Sequence, residues 1–98
     1  METREFTSDG RPWTVRAIAP GELSYGSSPV DAATVEFYDK RQAGEHFGPL
    51  GQFVSSYYIE TLLDGDDGDL DLVSDIPEWS IDVATMVEIR AWLASIAR

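Results

Sequence analysis

The sequence has no cysteine among its 98 residues, which excludes disulfide bonds and thiolate metal sites. Zero cysteine is compatible with any compartment, but a small secreted domain would usually need disulfides for its stability. Apolar runs are also short, and none approaches the roughly 20 residues that a membrane-spanning helix requires. The charged segment 1–6 lacks the apolar core of a signal peptide. We therefore expect a cytoplasmic protein without a membrane partner.

Basic residues are scarce as well. Seven lysines and arginines stand against 18 acidic residues, and Lys40 is the single lysine, so the formal net charge is −11. A balance of this kind repels nucleic acid and anionic membranes, and it favours a basic partner. The acidity alternatively serves solubility, or reflects a salt-adapted or high-GC host. Composition alone leaves these interpretations open.

Residues suited to catalysis or metal binding form no recognisable pattern. His46, the single histidine, lies in a glycine-rich stretch, where we expect a solvated loop residue and not a catalytic base. The acidic segment 64–75 fits a calcium-binding loop poorly, because Asp69 occupies the position that requires glycine. No glycine-rich phosphate loop is present. The sequence therefore predicts a non-enzymatic protein with no cofactor and no dedicated metal site.

The beginning of the chain predicts a β-hairpin. Asp9-Gly10 is a dipeptide favoured in two-residue type I′ turns, whose two central residues both need a positive φ. This turn sets a register that places Phe6 opposite Trp13, on an apolar face that Val15 continues. A third strand is expected at 34–39, where apolar residues alternate.

The second half of the chain predicts two helices separated by a short strand. From Pro49 the apolar residues recur at three- and four-residue spacing, which predicts a helix over 49–63. A short strand at 70–73 then leads to a last helix that begins at Ser80 or Asp82 and runs to about residue 97. The buried stripe expected along this last helix comprises Met86, Ile89, Leu93 and Ile96, with Trp92 at its border.

These elements predict one α+β domain over residues 1–98. Hydrophobic residues make up 43% of the chain, which argues against disorder and allows one small core. The predicted order is ββ-β-α-β-α. It corresponds to two layers, a mostly antiparallel sheet of about four strands with two helices packed on one face.

Three stretches together resemble a known group of proteins: Val35-Glu-Phe-Tyr-Asp39, Gly51–Leu63, and Pro77-Glu-Trp-Ser-Ile-Asp82 with the helix that follows. The group comprises short, uncharacterised acidic proteins of actinobacteria and related Gram-positive bacteria, some of them phage- or plasmid-borne. The resemblance covers about two-thirds of the chain and implies no activity and no site residues. It favours mobile-element biology, in which small acidic proteins often inhibit host machinery.

We therefore predict a protein-binding module that presents an acidic surface to a basic protein, such as a nucleic-acid-binding enzyme of the host. A phage or mobile-element inhibitor that imitates nucleic-acid charge is the form that the resemblance favours. The alternative is a housekeeping or structural oligomer subunit, such as a homodimer, whose acidity serves only solubility. The predicted partner-binding residues are five clustered aspartates and three aromatic residues: Asp64, Asp66, Asp67, Asp69, Asp71, Tyr58, Trp79 and Trp92.

Overall fold

The computed structural model describes residues 2–44, 46–65, 70–72 and 76–96. Its main feature is a four-stranded antiparallel sheet in which strands adjacent in sequence pair in the order β1-β2-β3-β4. The strands are β1 (Glu2–Ser8), β2 (Arg11–Ile18), β3 (Thr34–Asp39) and β4 (Gln52–Tyr58). Two helices complete the fold, α1 (Ile59–Leu63) and α2 (Val83–Ile96). The predicted α+β class is confirmed.

The β1–β2 hairpin has the predicted turn and register. Asp9 and Gly10 take φ values of 51° and 77°, which a type I′ turn requires. Phe6 lies opposite Trp13, and both side chains are buried. The β3 strand also has its predicted bounds, and it pairs with β2 so that Val15 lies opposite Phe37.

The helix predicted over 49–63 is wrong for most of its length. Residues 52–58 form β4, and the helix is limited to the five residues of α1. The β4 strand completes the sheet by pairing with β3, and its Phe53, Tyr57 and Tyr58 suit a strand. Long-range pairing therefore decides the conformation of a segment whose apolar spacing alone favours a helix.

A β-bulge in β4 explains why the apolar spacing was misleading. Phe37 lies opposite Ser55 while its neighbour Tyr38 lies opposite Phe53, so Val54 is an extra residue. The bulge reverses the alternation of β4, and Phe53 and Tyr57 therefore face opposite sides of the sheet. In the predicted helix these two residues, four positions apart, would have shared one face.

The short strand expected at 70–73 does not belong to the main sheet. It is β5 (Leu70–Asp71), which pairs with β6 (Ser80–Ile81) in a separate two-stranded sheet. Residue 73 lies outside the described residues. The element order is therefore ββββ-α-ββ-α, because one predicted helix contains a strand and a second short strand precedes α2.

The α2 helix begins after Asp82, whose Oδ1 accepts a hydrogen bond of 2.7 Å from the backbone N–H of Thr85. Asp82 is thus the N-cap, and Ser80 lies in β6. The backbone N–H of Asp82 donates to Ser8 Oγ at 2.9 Å, which joins the start of α2 to the end of β1. Of the predicted stripe, Met86, Ile89 and Leu93 are buried, and Ile96 is half-buried.

Both helices contribute to one core on a single face of the sheet. The sheet supplies Phe6, Trp13, Val15 and Phe37, and α1 supplies Ile59 and Leu62, all packed with the stripe of α2. Arg16, Glu36 and Tyr38 alternate with these core residues along β2 and β3 and therefore lie on the other face of the sheet. No helix in the described ranges is long and apolar enough to cross a membrane.

Candidate protein-binding grooves

Large apolar side chains that remain exposed in the described part of the chain fall in three places. Leu23, Tyr25 and Phe47 lie in the two long loops, Tyr58 and Leu63 lie around α1, and Val83 and Val87 lie on α2. The first two groups line grooves in the surface. Because exposed apolar patches mark interaction sites more often than single exposed residues do, these grooves are the candidate site.

The first groove, which we call the acidic groove, lies between α1 and the segment that leads into β3. It has a volume of about 570 Å³ and is lined by residues 31–33, 58–61, 63 and 64. These nine residues include three acids, Asp31, Glu60 and Asp64, and no base. Tyr58 and Leu63 give the groove its exposed apolar surface.

Local structure brings these acids together. The backbone N–H of Ile59 donates to the carbonyl of Ala33 at 3.0 Å, which holds the start of α1 beside the segment that precedes β3. Ile59 and Leu62 are buried, so the intervening Glu60 and Thr61 face outward. The hydroxyl of Tyr58 donates to Asp31 Oδ1 at 3.3 Å across 27 residues of sequence.

The acidic groove can hold a cationic side chain. Tyr58 is 51% exposed, and its ring offers a face on which a guanidinium or ammonium group could stack. Carboxylates beside that ring would pair with the same cation, and an arginine could meet one of them with two parallel hydrogen bonds.

The second groove, which we call the aromatic groove, lies on the sheet face opposite α2. It has a volume of about 650 Å³. Leu23 and Tyr25 form one wall and Phe47 the other, while Arg16 and Tyr38 contribute from the sheet. The three wall side chains are 56%, 62% and 48% exposed.

Glu36 holds one wall of the aromatic groove in place. This glutamate is 1% exposed, and its Oε2 accepts a 2.7 Å hydrogen bond from the backbone N–H of Tyr25. Its Oε1 accepts from the hydroxyl of Tyr38 at 2.7 Å and lies 3.0 Å from Nε of Arg16. Arg16 in turn donates from Nη2 to the carbonyl of Leu23 at 2.8 Å. Burial, together with the bond to the Glu36 carboxylate, raises the pKa of Tyr38 above its ordinary value.

The ring of Tyr25 is held by stacking. It lies parallel to Phe53 with the ring centroids 4.6 Å apart, and it meets Tyr38 edge-on at 6.3 Å. The groove therefore has a rigid wall whose outer aromatic surface still contacts solvent.

A third groove of about 460 Å³ connects the other two. It shares Ser24 with the aromatic groove, and it shares Asp31 and Tyr58 with the acidic groove. The three grooves thus follow one another along the loop between β2 and β3.

The structure brings together two of the eight predicted partner-binding residues, because Tyr58 and Asp64 both line the acidic groove. Asp71 is exposed on β5. Trp79 and Trp92 are half-buried against the core. Trp92 packs on Phe6 with centroids 5.8 Å apart. The remaining three, Asp66, Asp67 and Asp69, lie outside the described residues.

Sequence reasoning missed the other residues of the grooves. Asp31 and Glu60 are isolated acids in the sequence. Glu60 follows Tyr58 by two residues, but Asp31 comes near Tyr58 only through the pairing of β3 with β4. Leu23 and Phe47 were detectable in principle, because each is a large apolar residue within a loop rich in glycine or serine.

His46 is exposed in a turn, and no group of three or more histidine, aspartate or glutamate side chains in the described ranges could hold a metal ion. The best-satisfied carboxylate is Asp39, a buried residue that accepts hydrogen bonds from Arg41 at 3.1 and 3.0 Å and from Trp79 at 3.0 Å. Burial alone would raise the pKa of Asp39, but these bonds outweigh it and hold the pKa below the ordinary value.

Comparisons of the chain with protein-family models, with curated proteins and with solved structures return no match. The resemblance to short acidic proteins of Gram-positive bacteria therefore stays a prediction, and the geometry of the grooves carries the functional argument.

Proposed function

We propose that this protein is a non-enzymatic binding module whose acidic groove captures a basic segment of a partner protein. The observation that carries the proposal is the convergence of Asp31, Glu60 and Asp64 around the exposed Tyr58 and Leu63, with no base among the described residues that line the groove. The three carboxylates complement the charge of a basic segment, and burial of the two apolar side chains on binding adds a hydrophobic contribution to the affinity.

Charge of the whole chain supports the same partner chemistry. A net charge of −11 accelerates encounter with a basic protein and disfavours self-association through like-charge repulsion. The same charge repels nucleic acid, so this protein would contact a nucleic-acid-binding enzyme through the basic surface of that enzyme. Inhibition of such an enzyme by imitation of nucleic-acid charge is the specific form that we propose.

The experiment measures the affinity of a fluorescein-labelled peptide of alternating arginine and serine by fluorescence anisotropy. The test variant combines Asp31→Asn, Glu60→Gln and Asp64→Asn. Each exposed ion pair contributes about 0.2–1 kcal/mol, so the three together should weaken binding by about tenfold. Binding should also weaken with salt between about 50 and 300 mM, because exposed charges are screened.

A matched control variant separates local from global charge. It combines Glu2→Gln, Asp9→Asn and Glu88→Gln, three exposed acids outside the groove. Both variants lose three carboxylates and therefore carry the same net charge. Equal losses of affinity in the two variants would show that the peptide responds to net charge and that the groove has no special role.

The predicted acidic segment is tested separately from the groove. Replacing Asp66, Asp67, Asp69 and Asp71 by asparagine leaves the groove acids in place. A large loss of affinity in this variant, with the groove variant unaffected, would move the binding surface to the acidic segment.

A further inference from the structure

We propose that the three grooves form one binding track for an extended, bipartite segment of a partner protein, with a basic half in the acidic groove and an apolar half in the aromatic groove. This inference rests on the proposed function for its basic half and adds the apolar half. It assigns a binding role to Leu23, Tyr25 and Phe47.

Continuity of the track follows from its lining residues. The connecting groove shares Ser24 with one neighbour and Asp31 and Tyr58 with the other. A series of three adjoining grooves suits an extended chain. Extended chains of the polyproline type rise about 3.1 Å per residue, so a segment of about ten residues reaches roughly 30 Å.

Holding the wall of the aromatic groove in place requires the burial of a charged side chain, which costs free energy. Burying the Glu36 carboxylate carries a desolvation penalty that Arg16 and two hydrogen-bond donors, the Tyr25 amide and the Tyr38 hydroxyl, must offset. Two of the resulting contacts fix the backbone at Tyr25 and Leu23, while both side chains stay mostly in solvent. A buried ionic network that rigidifies two exposed apolar side chains is the arrangement expected of a pre-organised binding surface.

The chemistry of the occupant follows from the two ends of the track. The aromatic end would bind leucine, proline or aromatic side chains, because rings such as Tyr25 and Phe47 offer apolar area with little conformational freedom to lose. The acidic end would bind arginine or lysine. Between the two ends, the connecting groove is lined by residues 56–58 of β4, which is an edge strand of the sheet.

The test compares labelled synthetic peptides of about ten residues by fluorescence anisotropy. One probe carries an arginine-rich half followed by a half of leucine, proline and tyrosine, a second carries the halves in the reverse order, and each half is also measured alone. Joining the halves raises the effective concentration of the second half, so at least one bipartite order should bind about tenfold more tightly than the basic half.

Phe47→Ala and Tyr25→Ala, made separately, should each reduce the gain in affinity of the bipartite peptide over the basic half. The affinity of the basic half alone should not change. Val87→Ala, which removes an exposed apolar side chain on α2, is the matched control and should keep the full gain.

The outcomes separate the two proposals. A basic half that fails to bind the wild-type chain contradicts the proposed function. A basic half that binds, with no gain in either bipartite order or with a gain that both aromatic variants keep, overturns the bipartite track alone. Sedimentation that shows dimers dissolved by Phe47→Ala would also overturn it, because the occupant would then be a second copy of the chain.

Discussion

The indole Nε1 of Trp79 donates a hydrogen bond of 3.0 Å to Oδ2 of Asp39, and this contact joins the end of β3 to a turn 40 residues later. Arg41 donates three further hydrogen bonds to the Asp39 carboxylate, two from its side chain and one from its backbone. The contact holds the segment that contains β6 against the main sheet. It also means that Trp79, which the sequence suggested as a partner-binding residue, uses its one polar atom within the fold.

Replacing Asp39 by asparagine should destabilise the fold more than replacing Trp79 by phenylalanine. Asp39→Asn removes a buried charge that accepts four hydrogen bonds, and we expect a loss of only about 2–3 kcal/mol because Arg41 is partly exposed. Trp79→Phe removes one hydrogen bond at a cost of about 1 kcal/mol. Thermal unfolding followed by circular dichroism measures both, at roughly 4–8 °C per kcal/mol for a chain of this size. A larger effect of Trp79→Phe would contradict this ranking.

Stability should decline at acidic pH because of Asp39 and Asp82. Hydrogen bonds from Thr85 lower the pKa of Asp82, and those from Arg41 and Trp79 lower the pKa of Asp39 despite its burial, both from an ordinary value of 3.8. Since each folded pKa lies below the unfolded value, the unfolded chain binds more protons. The stabilisation is therefore complete above about pH 4 to 5 and is lost as the pH falls through the folded values.

The melting temperature measured from pH 7 to pH 2 checks this pH dependence. Asp39→Asn should lower the plateau and make the acidic decline shallower, because the variant has one titrating group fewer. An unchanged decline in the variant would mean that other carboxylates dominate the acid transition.

Gly51 should tolerate alanine far less well than other glycines. Its φ is +108°, and a Cβ at this position would lie 2.2 Å from the carbonyl oxygen of Asp39. Gly10 has a φ of +77° with nothing within 4 Å of a Cβ, so Gly10→Ala should cost only the strain of the turn, about 1–2 kcal/mol. Gly26→Ala, with open space and no positive φ, is the control and should be nearly neutral.

We expect Gly51→Ala to cost at least about 3 kcal/mol, because backbone must move to accept the new atom. Urea unfolding of the three alanine variants gives the comparison. If Gly51→Ala were as stable as Gly10→Ala, the close approach of β3 to the start of β4 would be incorrect.

Glu36→Gln should loosen the wall of the aromatic groove before it unfolds the protein. The substitution keeps the shape but removes the charge that attracts Arg16, and its amide presents one acceptor oxygen where the carboxylate presents two. Hydrogen exchange followed by NMR should therefore show faster exchange of the Tyr25 amide, which donates a hydrogen bond to Glu36 in the wild type. The amides of Val15 and Phe37, in the core strands, should change less. Uniform acceleration at all three sites would indicate global destabilisation and no specific hold on the loop.

Local sequence signals predicted the parts of the fold that depend on neighbours in the chain. Asp9-Gly10 specifies its turn through backbone conformation alone, so the register of Phe6 and Trp13 followed. Asp82 was one of the two residues, with Ser80, that the sequence predicted as the cap of α2, because a cap bonds only a few residues ahead. The β4 strand was missed because its conformation depends on pairing with β3, and the bulge at Val54 disrupts the alternation that would have revealed it.

The candidate site was predictable only in part, for the same reason. Tyr58 and Asp64 were selected for ring type and charge, and both lie in the acidic groove. Asp31 reaches that groove through strand pairing across 27 residues, which no local pattern encodes. The aromatic groove depends on Glu36, a charged residue in a predicted strand, and no local pattern indicates that this residue lies at the centre of a buried network.

Binding of the arginine–serine peptide, mapped residue by residue, shows whether the acidic groove captures a basic segment. A ¹⁵N-labelled sample is titrated with the peptide at low salt, and the shifts of the backbone amides are followed by NMR. The largest saturable shifts should fall at residues 31–33 and 58–64, with small shifts at Glu2, Asp9 and Glu88. Shifts that are spread evenly over all acidic residues, or that centre on α2, would contradict capture of a basic segment by the acidic groove.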